Sequence, residues 1–301
     1  IYIKCEQTTM NVNPTIEIES CKFISNEASD GHALYIEGGY KTVDIISFSE
    51  NVFTSNGVTG STIVSDVPLD LSSINFNSLE SGILGSNPIK YNGNSPGNYE
   101  NLNFSNPIDV QNEQIESSFY NCHFLNCRKN SSVDPSIQQY VLTIHCRTFS
   151  FIESSIEFED ASNAIGGICI DNYCNMTITD SSLIKCNYLS VTEDPDLNDQ
   201  SAGIYYEPKG GINTYEQLNM QNVLFDCISG VNSRCFKMTI DCNRMTCDAI
   251  TIQNCPSGGS ICSFYFTGNA DSCTFQNWKF ISNTAHSLFG GGSGLAIILH
   301  L

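Results

Sequence analysis

Apolar and polar residues alternate along most of this chain, in short runs that each lead into a small polar group. "IEIESCKFISN" from residue 16 shows the unit, and it recurs with drift as "ISFSENVFTSN" at 46, "IESSFYNCHFLNC" at 115 and "FSFIESSIEFED" at 149. Later copies are "MTITDSSLIKC" at 176, "QLNMQNVLFDC" at 217, "DAITIQNC" at 248 and "TFQNWKFISN" at 274, with fainter ones at 72 and 101. Alternation at period 2 predicts half-buried strands, and the lack of a 3.6-residue apolar period argues against helices.

A large apolar residue is followed three positions later by Asn or Cys. Phe23 leads to Asn26, Phe53 to Asn56, Phe124 to Cys127, Leu183 to Cys186, Leu224 to Cys227, Ile252 to Cys255 and Phe280 to Asn283. This spacing predicts a corner repeated along the chain. Asn tolerates the left-handed backbone of a tight bend, and its amide can bond to the neighbouring copy. Cys is small and buries well. After each unit comes a second strand with a small residue at its entrance, as in "GHALYI", "GGICI", "AGIYY" and "SGLAII", and a third short strand, as in "KTVDI" at 41, leads into the next copy.

Successive apolar anchors lie 30, 32, 27, 41, 28 and 28 residues apart, with the excess in loops. Three strands per turn, small corner residues and stacked Asn predict an all-β parallel β-helix, one domain over 1–301, of nine to ten coils. At about 4.8 Å per coil that is a rod on the order of 45 Å long. A propeller would need about four strands per blade. A sandwich would not repeat the Phe-x-x-Asn corner.

Composition narrows the setting. Thirteen Lys plus Arg against 32 Asp plus Glu leave a net charge of -19, which excludes a phosphate-neutralising basic surface and an anionic-membrane binder. No run of 18 apolar residues predicts a membrane-spanning helix. The start at Ile1 and the stop within an apolar strand point to a piece of a longer chain. Fifteen cysteines predict disulfides in an oxidising compartment. Zinc is the competing use: "CIDNYC" at 169 and "CNRMTC" at 242 are spaced pairs, but without a Cys/His cluster at ligand spacing. Sequons at Asn103, Asn130 and Asn175 add a eukaryotic secretory route.

"FISNEASDGHALYI" and "FISNTAHSLFGGGSGLAI" resemble the paired Phe-x-x-Asn and Gly-Gly-Ala-Ile repeats of the polymorphic outer-membrane protein family, which also occur in β-helix surface proteins of parasitic protists. The resemblance is good in the first 65 and last 30 residues; the middle trades Asn for Cys. It implies a right-handed parallel β-helix displayed at a cell surface, with adhesion as the usual role.

Stacking gives the cysteines expected neighbours. Cys186, Cys227 and Cys255 are expected at one corner of three successive coils, where any two can bond, since one coil rise is close to a disulfide's Cα separation. Cys235 with Cys262, Cys146 with Cys174, and Cys247 with Cys273 are the other expected pairs. A ladder of buried thiols acting as small apolar residues is the alternative.

Enzyme chemistry finds little support. Glycoside hydrolysis needs two facing carboxylates, and only "EFED", with Glu157 and Glu159, offers a pair on one strand face. The basic residues are scattered and the five His are isolated. "EDPDLND" lacks the spacing of an EF-hand loop, so no metal or cofactor is expected. The reading is a non-enzymatic extracellular cell-surface rod, adhesin or structural, with loops near 85–100, 128–139, 188–200 and 206–216 as contact surfaces. The expected partners are other copies or subunits of a surface assembly, or a receptor or glycan. A filament or coat subunit joined end to end is the second reading, and a polysaccharide lyase or hydrolase the third.

Overall fold

In a computed structural model the chain is described over 116–127, 139–160, 164–188, 201–207, 217–230, 235–240, 244–257, 262–266, 272–285 and 295–299, and before 116 over its strands between 2 and 110 with a few flanking residues. Every described element is a strand and every strand pair is parallel. The fold is a parallel β-solenoid. Two sheets carry ten strands each, and a third side is built by a four-stranded and a seven-stranded sheet. About four turns are described nearly throughout.

One turn shows why the sequence folds this way. The first-sheet strand Glu116–Tyr120 buries Ser117 and Phe119 and turns Ser118 and Tyr120 outward. Asn121 then takes a left-handed φ of 48°, Cys122 points in, and the second-sheet strand His123–Leu125 follows. Asn126, with φ 50°, makes a second bend, Cys127 points in, and the chain crosses to the third-sheet strand Tyr140–Ile144. A left-handed residue turns the chain without breaking the ladder: Asn121 N–H donates to Ile152 O at 3.0 Å, and Asn126 N–H to Glu157 O at 2.9 Å. The first bend is made by Ser20, Asn121, Glu153, Asp180, Asn222, Ala249 and Asn277, and the second by Asn126, Lys185, Cys227, Asn254 and Ser282. Asn and Asp accept this conformation most readily; elsewhere it costs about 1–2 kcal/mol.

The expected strands appear, with a change of assignment. Each alternating unit supplies two strands across the first bend, and the small-residue segment supplies the third; residues 41–45, within "KTVDI", lie outside the described residues. The stretch expected as a loop near 85–100 holds strands Ile89–Tyr91 and Gly97–Glu100, with Tyr99 buried. Its Asn, Gly and Pro content masked a short strand.

The interior is a file of side chains along the axis. Tyr99 stacks on Phe119 (4.5 Å between centroids) and Phe104 on Phe124 (4.6 Å), and Phe236 meets Phe225 and Phe264 at 5.6 and 5.0 Å. Ladder spacing holds such aromatic pairs in the offset or tilted arrangements they favour.

Candidate functional site

The corner between the second and third sheets gathers the most unusual chemistry. Its inner lining has two columns. One is the residue after the second bend. The strand register puts Cys186, Ile228, Cys255 and Asn283 there on successive coils. The other column, at the third-strand entrance, holds Gly167, Gly203 and Cys235. The glycines are required by close approach. A Cβ on Gly167 would lie 2.5 Å from Leu183 Cδ2, and one on Gly203 would lie 2.1 Å from Cys235 O. Where this column changes from Gly to Cys, the Cys235 thiol comes into contact with that of Cys255.

The corner motif therefore works differently from expectation. The left-handed residue stands one position before the Asn or Cys, and the Asn or Cys itself points inward. Asn283 does bond to the neighbouring coil, donating from Nδ2 to Ile252 O at 2.8 Å and accepting from Cys255 N–H at 3.0 Å. Cys127 and Cys186 are fully buried there, and burial pushes both thiols far above their ordinary range. Cys227 is a correction. Register sets Leu183 opposite Phe225, so Phe225 is the inward anchor and Cys227 is the left-handed bend residue, out of the Cys186–Cys255 column. The run Val223-Leu224-Phe225 conceals the phase, because three adjacent apolar residues allow two alternations. Asn26 and Asn56 lie outside the described residues.

The other cysteines divide. Cys146 and Cys174 are buried with their side chains in contact. Cys235 is out of step with Cys262, which lies opposite Phe236. Cys247 lies opposite Phe275 and Cys273 opposite Met245, two residues out of step.

A second ladder lines the first bend, and alternation alone did not reveal it. Cys122 N–H donates to Ser154 Oγ (3.0 Å) and Ser154 N–H to Ser181 Oγ (3.2 Å). Both hydroxyls are buried and donate to strand carbonyls, Ser154 to Ile152 O and Ser181 to Thr179 O, each at 2.8 Å. The signal was available on three successive coils, where a small residue follows the first-bend residue in Asn121-Cys122, Glu153-Ser154 and Asp180-Ser181.

On the outside of the third sheet, Tyr205 alternates with inward Ile204 and Tyr206, yet it is only 9% exposed. Lys237, opposite Tyr205, is 7% exposed with Nζ 5.6 Å from the Tyr205 ring centroid, and Tyr140 stacks on Tyr205 at 6.3 Å. The aromatic face offsets part of the cost of burying the cation. Sequence reasoning read Lys237 as a scattered charge.

Asn175 is exposed between buried Cys174 and Met176, with Oδ1 accepting from Gln217 N–H at 2.9 Å. Asn103 stands in the second sheet beside Asn75 and His123, and Asn130 lies outside the described residues. Glu157 has Leu125 and Ile184 as its ladder neighbours, and Glu159 follows the strand. Among the described residues no three His, Cys, Asp or Glu gather at metal-binding distance, and no helix is long and apolar enough to cross a membrane. No family model, curated protein or solved structure matches the chain. The class is set by the fold, a parallel β-solenoid, and the likeness to polymorphic outer-membrane repeats rests on the repeat motif itself.

Proposed function

We propose that this protein is a non-enzymatic, glycosylated, disulfide-reinforced β-helix at the outside of a eukaryotic cell of protist type, a stiff rod that presents adhesive loops. The observation that carries this is where the long connections leave the rod. Residues 78–88, 128–138 and 189–200 each join the second-sheet side to the third side, so the three longest connections between described residues run between the same two sides. On another coil the same corner is closed by residues 258–261 alone. The fold does not need the extra length, and excess length on a rigid scaffold is where recognition is built. Exposed Asn175 and the 15 cysteines support the secretory setting.

The test replaces 189–200 with a four-residue link and measures attachment of the purified chain to cells and to a glycan array. Loss of attachment with an unchanged circular dichroism spectrum is the expected result. Full attachment without this segment and without 128–138 would reject the loop reading. The second reading is a structural subunit of a filament or coat, since a strand left at an open sheet edge invites pairing. Electron microscopy of protein taken from its native surface separates the two: lattices or filaments support the subunit, isolated rods the adhesin.

A further inference from the structure

Two pairs of buried thiols stand in contact, and each joins one coil to the next. Cys146 lies between strands Tyr140–Ile144 and Thr148–Ile152; Cys174 lies one coil later, between Gly166–Ile170 and Asn175–Thr179. The two corners are held in register by Asn175 N–H donating to Arg147 O at 2.7 Å. Cys235 enters strand Phe236–Ile240, and Cys255 closes the bend after Thr251–Gln253 on the following coil. Cys255 is positioned by its own N–H on Asn283 Oδ1 (3.0 Å), and Cys235 by its carbonyl on Ile204 N–H (2.9 Å).

We propose that Cys235 with Cys255, and Cys146 with Cys174, are built to close as disulfides that tie successive coils together. The geometry selects these partners over others. Cys186 and Cys255 share a column but are separated by the coil carrying Ile228, and Cys262 faces Phe236 rather than Cys235. Among the described residues of the entrance column, Cys235 is the one thiol, and it follows Gly167 and Gly203, where close approach requires glycine.

The two members of each pair are chemically unequal. The Cys235 thiol donates to Cys255 and lowers the latter's pKa, while burial raises that of Cys235 well above the ordinary value. Cys174 lowers Cys146 in the same way. During folding, while both sulfurs are reachable, the thiolate of either one displaces one thiolate from a small-molecule disulfide such as oxidised glutathione, forming a mixed disulfide. The other thiol of the pair gives up its proton and displaces the second external thiol, so two protein thiols are oxidised and one external disulfide becomes two thiols. Both sulfurs are nearly inaccessible in the finished coil, so the exchange belongs to folding. Each bond closes a short loop, residues 146–174 or 235–255, and in a solenoid, whose coils touch only their neighbours, it links two otherwise separable repeats. The oxidant is supplied by the extracellular setting proposed above; the partner choice does not depend on it.

The test refolds the full chain in a glutathione redox buffer, blocks remaining thiols, and digests with trypsin without reduction. Cleavage after Arg234 and Lys237 releases Cys235 on a three-residue peptide. That peptide is expected to be joined to the one carrying Cys255, with fragmentation assigning the bond to that sulfur, and Cys146 to be joined to Cys174. In Cys255→Ser, Cys235 is expected to carry the blocking group while the Cys146–Cys174 bond persists. Cys235 joined to Cys262, or blocked in the unmutated chain, overturns the proposal. Both bonds formed in the refolded chain, with reduced thiols in protein taken from its source cells, would uphold the pairing and remove the oxidising compartment from the functional reading.

Discussion

Replacing Gly203 with Ala tests whether coil-to-coil contact at the entrance column limits the sequence. Gly203 has no left-handed φ, so the substitution carries no backbone penalty, and fewer unfolded conformations would contribute about 0.4–1 kcal/mol of stability. The steric term opposes this. The new Cβ would sit 2.1 Å from Cys235 O and 3.3 Å from Phe225 Cδ1, so the carbonyl must retreat by nearly an ångström. Overpacking of this kind costs about 1–3 kcal/mol. The same carbonyl accepts Ile204 N–H at 2.9 Å, and separating that buried pair adds about 1–3 kcal/mol. The clash wins, for a net loss of roughly 2–4 kcal/mol and a fall in Tm of about 3–6 °C for a chain of 301 residues. Urea titration with unchanged slope is the assay, and hydrogen exchange should place the weakened amides at Ile168, Ile204 and their neighbours. Ser118→Ala on the outer face is the control, expected within about 0.5 kcal/mol. Stability of Gly203→Ala within that same margin would refute the argument that this column is glycine for lack of space.

Ser154→Ala should cost about 1–3 kcal/mol in the same titration by leaving Cys122 N–H without its acceptor, and Ser154→Cys, whose sulfur is a weak acceptor, should recover only part of it. Asn283→Ala should lower stability by about 1–3 kcal/mol, with exchange rising at the Cys255 amide, because two backbone groups lose partners. For Asp226, burial is the largest single influence and raises the pKa, but hydrogen bonds from Asn254, Gln253 and Cys227 together outweigh it and hold the carboxyl below its ordinary value of 3.8. A lowered folded pKa stabilises above the unfolded value and is lost as pH falls through the folded one, so Asp226→Asn should flatten the stability profile below about pH 4. Cys127 and Cys186, fully buried with thiols pushed far upward, should resist iodoacetamide in folded protein and react once urea unfolds it.

The period-2 alternation and the recurring corner made the solenoid legible, because both are properties of single strands repeated. Strands Gly166–Ile170, Phe236–Ile240 and Cys262–Phe266 fall where the small-residue entrances placed them. What alternation cannot carry is phase at a bend. Leu224 and Phe225 are both apolar neighbours of Cys227, and only pairing with Leu183 and Ile252 decides that Phe225 turns inward. A one-residue error there moves every side chain to the other face, which is how Cys227 left the thiol column.

The thiol pairs were harder to read for a related reason. Treating coils as identical makes equivalent positions the natural partners, which sets Cys186, Cys227 and Cys255 together as interchangeable partners and Cys235 with Cys262. The contact that forms is between two different columns meeting at a corner, Cys235 from the third-strand entrance and Cys255 from the second bend. Such a diagonal depends on how sharply the chain turns and on the missing Cβ of Gly203, neither of which has a period. In a solenoid, repetition predicts the ladders along the axis. The contacts that make one turn unlike another run across the corner, and they follow from local substitutions such as Gly to Cys at residue 235.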